Sequence, residues 1–462
     1  MTVQAADEIE VEEAPAPATR TAELARLSPA RAAIELAWPG IVEQSVSAAG
    51  TALVFAFVGH LGAVATAGAG AASSFLFLMF PVWRSLAIGT IAIVSRRMGE
   101  GRPADAADAT RQALTLGALA GIGFGIAFVL FAAPLLRLLG ANDEVVAVGA
   151  PFLAVVGASS GASTVGLIGT SAMRAAGDTR TPMFLAVASV VVSITLAYAL
   201  IEVLHVGAMG AAWASAITWS LNVAAAIVLL WRGVAGLSIA GGTWHLTTST
   251  IRRIFAISLP SAGESATFSF GILALSGLVF RLGTDQVAAH QIVGQIETFS
   301  FFPCIGFSAA ASALVGQALG MRDVERAMRA GWAAAVMALV WATIAGLAFL
   351  LVPGFLLGLF TSSDAVVVAG IGALAVIGIG QPAQAAIFAI GGALRGAGDT
   401  RYPLAVSLVN WFLVRLPLAY VLAFPLGLGL TGIWMGVAVD YFFRATLLAW
   451  RFRSGAWARV RV

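Results

Sequence analysis

The 462-residue chain is 60% hydrophobic and only 11% charged, with a mean hydropathy of +0.93, which excludes an ordinary soluble domain, where about 25% of residues are charged. All 26 basic residues are arginines and the formal net charge is +3. They stand in short clusters between apolar runs, a pattern of bilayer orientation rather than of nucleic-acid binding.

The chain opens on an acidic stretch, Asp7, Glu8, Glu10, Glu12 and Glu13, followed by Pro15 and Pro17. With no apolar core, residues 1–30 are predicted to form a disordered tail rather than a cleavable signal. An α-helix crosses the roughly 30 Å hydrocarbon core in about 20 apolar residues. Twelve runs meet that length: 33–58, 64–94, 112–139, 145–170, 182–204, 207–231, 254–280, 286–317, 327–358, 364–391, 402–424 and 428–450. Fifty-one glycines suit close packing between such helices. Cys304, the one cysteine, lies in the eighth run, so an intrachain disulfide, a thiol pair and a cysteine–zinc cluster are all excluded.

Arginines gather in alternate connections: Arg20, Arg26 and Arg31 in the leader; Arg96, Arg97 and Arg102; Arg174 and Arg180; Arg232, Arg252 and Arg253; Arg322, Arg326 and Arg329; Arg395 and Arg401; and Arg451, Arg453, Arg459 and Arg461 in the tail. The other connections carry little positive charge. The positive-inside rule therefore places both termini in the cytoplasm of a multi-pass inner-membrane protein, and an even number of spans agrees.

Residues 173–182 read M-R-A-A-G-D-T-R-T-P and residues 394–403 read L-R-G-A-G-D-T-R-Y-P, so the motif recurs 221 residues later. The same shift carries Pro39 and Glu43 onto Pro260 and Glu264, and Gly99 onto Gly320. The fold class that follows is an all-α membrane protein: twelve transmembrane helices in two six-helix lobes related by a pseudo-two-fold axis along the membrane normal. The lobes are predicted over 31–231 and 253–453, with a cytoplasmic linker at 232–252 and a basic tail at 454–462. Trp244 and its apolar neighbours suit a short interfacial helix in that linker, with a plain loop as the alternative.

Within the doubled motif, Gly177 and Gly398 suit left-handed helix caps. Asp178 and Asp399 either pair with Arg174 and Arg395, four residues earlier, or cap the helix that follows Arg180 and Arg401. The motif reads first as a structural loop and second as a gate.

A charge at the helix centre costs roughly 2.5–3.5 kcal/mol even on the lenient insertion scale, so each deep charge wants a reason. Glu43 and Glu264 lie about ten residues into the first and seventh spans, near the midplane. Glu297 in the eighth span and Arg415 in the eleventh are predicted to neutralise each other, and Asp440 to pair with Arg444 on its own helix. Glu264, beside Ser261, Ser265 and Thr267, reads as an ion- or substrate-binding carboxylate, with a neutral interhelical hydrogen bond as the alternative. Gln295, Gln384 and Asn410 could line the cleft. Phe268, Phe270, Phe299, Phe301 and Phe302 either stack a cation or, more simply, pack. Four scattered histidines make no metal site, and with no nucleophile, phosphate loop or cofactor motif the chain does not read as an enzyme.

The paired R-x-x-G-D-T-R-x-P motifs, the L-x-x-P-x-x-x-E openings, A-A-H-Q-I at 288–292 and A-L-V-G-Q-A-L-G at 313–320 resemble the multidrug and toxic compound extrusion (MATE) family, in its bacterial, DinF-like branch. The resemblance covers residues 28–453. It implies a monomeric secondary antiporter without a cofactor, exporting small organic, often cationic or amphipathic, compounds by alternating access as protons or sodium ions enter. This sequence departs from some members, with Val54 where they carry a first-span aspartate, Ser193 and Ala197 in the fifth span, and Gln384 where a subgroup has a tenth-span aspartate. Those absences shift the expected ion site to the second lobe and favour protons, carried by Glu264, over sodium. The rival readings are a flippase for a lipid-linked or polyprenyl substrate and a non-transporting membrane scaffold.

Overall fold

The structure, a computed structural model, describes residues 20–460. Its first half comprises α1 (Arg20–Arg26), α2 (Pro29–His60), α3 (Ala63–Gly99), α4 (Pro103–Leu138), α5 (Asp143–Ala158), α6 (Ser160–Ala175), α7 (Arg180–Tyr198) and α8 (Met209–Arg232). The second comprises α9 (Thr248–Val279), α10 (Thr284–Gly320), α11 (Val324–Leu351), α12 (Pro353–Gly358), α13 (Asp364–Gly396), α14 (Arg401–Val409), α15 (Leu416–Ala423) and α16 (Gly429–Arg453). Ten segments are long and apolar enough to cross a membrane, and two bent helix pairs bring the number to twelve. α3 bends by 41° ahead of Pro81, and α5 meets α6 at 43°. Two turns widen into π-helix, at Ala199–Val203 and at Asn410–Arg415 between α14 and α15.

Local chemistry sets the boundaries. Ser28 precedes Pro29 and accepts the Arg31 amide at 3.3 Å; Asn142 accepts Val145 N at 3.0 Å; Asp323 accepts Arg326 N at 2.7 Å. The repeat shows in the backbone as well. Gly62 and Gly283, equivalent in the two halves, both sit at φ 97–99°, and Gly177 and Gly398 at 97° and 86°, where a Cβ is disfavoured.

Two expectations need correction. Of the predicted disordered tail 1–30, residues 20–26 form α1, Ser28 caps α2 and Pro29 and Ala30 begin it; Leu24 of α1 is 1% exposed and packs in the core, and an apolar residue buried in this way stabilises a turn that composition alone argues against. The remainder of the predicted tail, 1–19, lies outside the described residues, as does Arg461. The linker predicted at 232–252 forms no interfacial helix around Trp244 but the alternative, a loop: residues 233–247 run as irregular chain with one bridge between Val234 and Leu237, Trp244 is half exposed, and α9 already begins at Thr248.

The lobes touch at the arginine-rich end. α3 and α10 cross there with equivalent glycines in contact: a Cβ on Gly99 would lie 2.0 Å from Gln317 O, and one on Gly320 2.1 Å from Arg96 O. Gly306 of α10 fits against Ala37 and Ile41 of α2, and Gly89 of α3 against Ile254 and Ser258 of α9. Toward the other end the lobes part. Of residues 51–60 of α2, positions 51, 52, 53, 55, 56, 59 and 60 are all exposed. At 100° per residue these cover one broad side of α2, while Val54, Phe57 and Val58 on the remaining side pack into a core cluster drawn from the N-terminal lobe alone, so this end of α2 shares no core with the C-terminal lobe.

Candidate functional site

The two repeated glutamates meet the two repeated motif arginines. Arg174 Nη2 donates to Glu43 Oε1, and Arg395 Nη1 lies 3.2 Å from both Glu264 oxygens, each pair spanning 131 residues. Arg395 runs back along α13, bringing its guanidinium beside Gly391, as the tilt of helical side chains favours. The predicted intramotif pairs do not form, because each motif aspartate is engaged elsewhere. Asp178 caps α7, accepting from Arg180 N at 2.9 Å, Thr181 N at 3.0 Å and the Thr181 hydroxyl at 2.5 Å; Asp399 takes Arg451 Nε at 2.8 Å. Glu264 is therefore an ion-paired residue toward the arginine-rich end rather than a lone mid-depth carboxylate. Arg84 of α3, which the reading of deep charges omitted, stands within electrostatic reach of Glu264 and Arg395.

A second cluster fills the interior of the C-terminal lobe. Glu297 on α10 accepts from Gln384 Nε2 of α13 at 2.7 Å and from the Tyr441 hydroxyl of α16 at 2.9 Å, while Gln384 also reaches Tyr441 at 3.1 Å. The Arg415 guanidinium stacks 4.0 Å from the Trp411 ring and 5.0 Å from the Tyr441 ring. Its ion partner is Asp440, at 2.5 Å, with both side chains at most 4% exposed. The predicted Glu297–Arg415 and Asp440–Arg444 pairs are thus replaced: Arg415 takes Asp440, Arg444 donates to Ser407 Oγ at 3.2 Å, and Tyr441 links Glu297 to Arg415. The widened turn at Asn410–Arg415 positions the arginine. Leu416 N bonds Trp411 O, five residues back, and Pro417 has no N–H to restore the tighter bond.

Polar groups in this cluster outnumber their protein partners. Both polar side-chain atoms of Asn410, Oε1 of Gln381 and Gln384, Oδ1 of Asp440, Nε of Arg415 and Nε of Arg444 are buried without a hydrogen bond, besides the Arg415 Nη2–Asp440 Oδ2 ion pair. Native interiors keep such groups few, and water or a bound ligand serves them where they persist. Gln295 is not part of the cluster, being exposed on the opposite side of α10 from Glu297. His290 packs its ring 5.4 Å from Trp434. Sequence reasoning missed Tyr441, although the single phenol in the apolar run of α16, next to Asp440, was a usable signal.

Buried charge gathered in one of two six-span lobes that close at one end and part at the other defines a polytopic membrane transporter. The chain belongs to the MatE family, whose sequence model matches residues 39–199 and 260–421, one match in each half. It is similar to the probable multidrug resistance protein NorM of Thermotoga maritima, 26% identical with 92% of each chain covered, and to that of Bradyrhizobium diazoefficiens, 29% identical with 91% and 92% covered. Among solved structures it superposes on an outward-facing multidrug resistance MATE transporter of the MOP superfamily at a TM-score of 0.88 and 21% identity, covering 94% of this chain and 98% of that one. A MOP superfamily transporter from Pyrococcus furiosus, described as having a binding pocket of reverse polarity, gives 0.87 at 21% identity, with 95% and 98% covered. The protein is accordingly a multidrug-efflux-family transporter and not an enzyme.

Proposed function

We propose that this chain is a cation-coupled antiporter that exports organic, cationic or amphipathic compounds across a bacterial inner membrane, with both termini and the arginine-rich end in the cytoplasm. In this reading the lobes, joined at the arginine-rich end and parted at the other, stand outward-open, as a substrate-releasing state requires. The observation that carries the proposal is the Glu297 cluster, where an acidic side chain sits deep in the lobe, served by two neutral donors. A carboxyl so held can gain or lose a proton without breaking an ion pair. Glu264, paired with Arg395, cannot. The coupling ion in this reading is therefore a proton, and its carrier moves from Glu264 to Glu297. Asn410, Gln384 and Arg415 line the polar interior that the ion or substrate would reach. Sodium is disfavoured because it needs several anionic or carbonyl oxygens together, whereas the groups that meet this carboxyl are donors, an amide and a phenol.

Efflux of a fluorescent organic cation from proteoliposomes tests the proposal. Glu297→Gln should abolish export driven by an imposed pH step while the protein remains folded and inserted. Normal pH-driven export by that variant, or export in the wild type that follows a sodium gradient alone, would show the assignment to be wrong.

A further inference from the structure

The doubled motif forms a cavity in each half, and the two cavities differ in charge. In the N-terminal half the space, about 260 Å³, is neutralised from within: Glu35 pairs with Arg20 and lies 3.8 Å from Arg180, and Asp178 covers the first amides of α7. In the C-terminal half the space is about 560 Å³, one of the two carboxylates is missing, and the other, Asp399, lines the space but is taken up by Arg451, leaving Arg401 as the uncompensated charge. The residue 221 positions after Glu35 is Ala256, which lines the cavity, and Asp399 has turned to Arg451. Arg401, the counterpart of Arg180, has no ion-pair partner among the described residues. No side chain caps α14, so the amides of Arg401 and Tyr402 stand open at the positive end of a helix. Thr400, 1% exposed, lines the same cavity with its hydroxyl unpartnered. Arg451, held by Asp399 through Nε and stacked 5.1 Å from the Tyr402 ring, has two terminal nitrogens left over.

We infer that this cavity binds a phosphate group, held by the open helix end, the Thr400 hydroxyl and the guanidinium of Arg401, with Arg451 alongside. A tetrahedral anion presents oxygens to several donors at once, which suits two amides, a hydroxyl and a guanidinium. Two sources share that chemistry: the headgroup of an anionic phospholipid, since the cavity lies where α13 ends and α14 begins at the bilayer edge, and a soluble phosphate or phosphate ester. The inference is independent of the coupling ion and of the exported compound.

The test uses the full chain purified in detergent, titrated calorimetrically with inorganic phosphate and, separately, assayed by native mass spectrometry for retention of phosphatidylglycerol against phosphatidylcholine. One of the two ligands should bind the wild type. Arg401→Gln removes the guanidinium, and Ala256→Glu installs the carboxylate of the other half at an exposed position without deleting any group. Each should weaken binding by about tenfold or more, whereas Arg180→Gln in the neutralised cavity should leave it unchanged. Phosphate binding lost in both variants supports a soluble ligand, and selective phosphatidylglycerol retention lost in both supports a lipid headgroup. Absence of either ligand from the wild type, persistence in both variants, or equal loss in Arg180→Gln overturns the inference.

Discussion

Asp440 and Arg415 neutralise each other where neither meets solvent, so each depends on the other for its burial. Removing one charge from such a pair costs about 3–5 kcal/mol, because its partner stays behind uncompensated, whereas removing both is far milder. Asp440→Asn should therefore lower the unfolding midpoint of the detergent-purified protein sharply, and Asp440→Asn with Arg415→Gln should recover most of the loss. Additive losses in that double-mutant cycle would mean that the pair is not coupled. The deep charges of this lobe were legible in the sequence, but their pairing was not. Position along a run gives depth, while the partner depends on how neighbouring helices are rotated, and so Arg415 was matched with Glu297. The Glu–Arg pairs of the doubled motif were legible in principle, since Glu43 and Arg174 recur with equal spacing as Glu264 and Arg395. If the pair is architecture, Glu43→Gln should leave a larger defect in thermal stability than in transport per folded molecule, and a transport-only defect would contradict that role.

The turn at Asn410–Arg415 is where backbone irregularity serves the candidate site. An α-helix through this stretch would rotate everything after it, and Arg415 stands at the exit of the widened turn. Pro417 holds the turn open by lacking the N–H that would bond Leu413 O. Pro417→Ala restores that donor and should tighten the turn, moving the Arg415 guanidinium away from Asp440 and Tyr441. Misplacement of a site group by about 1 Å can cost on the order of a hundredfold in rate, so export should fall by roughly tenfold or more without loss of folded protein. Unchanged export, with the π-turn retained in a structure of the variant, would show that Pro417 does not set it. All twelve spans were legible because each needs a long apolar run, which composition displays directly. The break between α5 and α6 and both π-turns were not, because polar contacts and packing from other helices decide between i→i+4 and i→i+5 bonding. α1 was hidden for a similar reason: its burial comes from Leu24 seating against residues far along the chain.

Closure of the arginine-rich end rests on backbone contact at equivalent positions together with three polar ties between the halves. Gln317 Nε2 donates to Ala175 O at 2.8 Å, Arg96 Nη1 to Val460 O at 3.2 Å, and Arg326 Nη2 to Leu24 O at 2.8 Å and Leu27 O at 3.2 Å. Each tie ends on a main-chain carbonyl, so it can break and re-form as the lobes rock without any side chain needing a new charged partner. The first and last described segments of the chain thus act as straps, α1 onto α11 and the 456–460 segment onto α3. If alternating access proceeds by separating the lobes here, the two kinds of contact make different predictions. Gly99→Val would place its Cβ about 2.0 Å from Gln317 O, far inside contact distance, and should prevent closure altogether. Arg326→Gln removes a strap and leaves the crossing intact; hydrogen bonds from a charged donor contribute about 1.5–3 kcal/mol, enough to shift a two-state equilibrium about tenfold or more. Spin labels on cysteines replacing Arg102 and Arg329, which stand 56% and 60% exposed on opposite lobes, would read the distance across this end, and buried Cys304 should stay unlabelled. The short distance should vanish in Gly99→Val, with export lost, and should become a minority population in Arg326→Gln, with export altered but present. A distance distribution that stays wild-type in both variants would mean that this end does not open during the cycle.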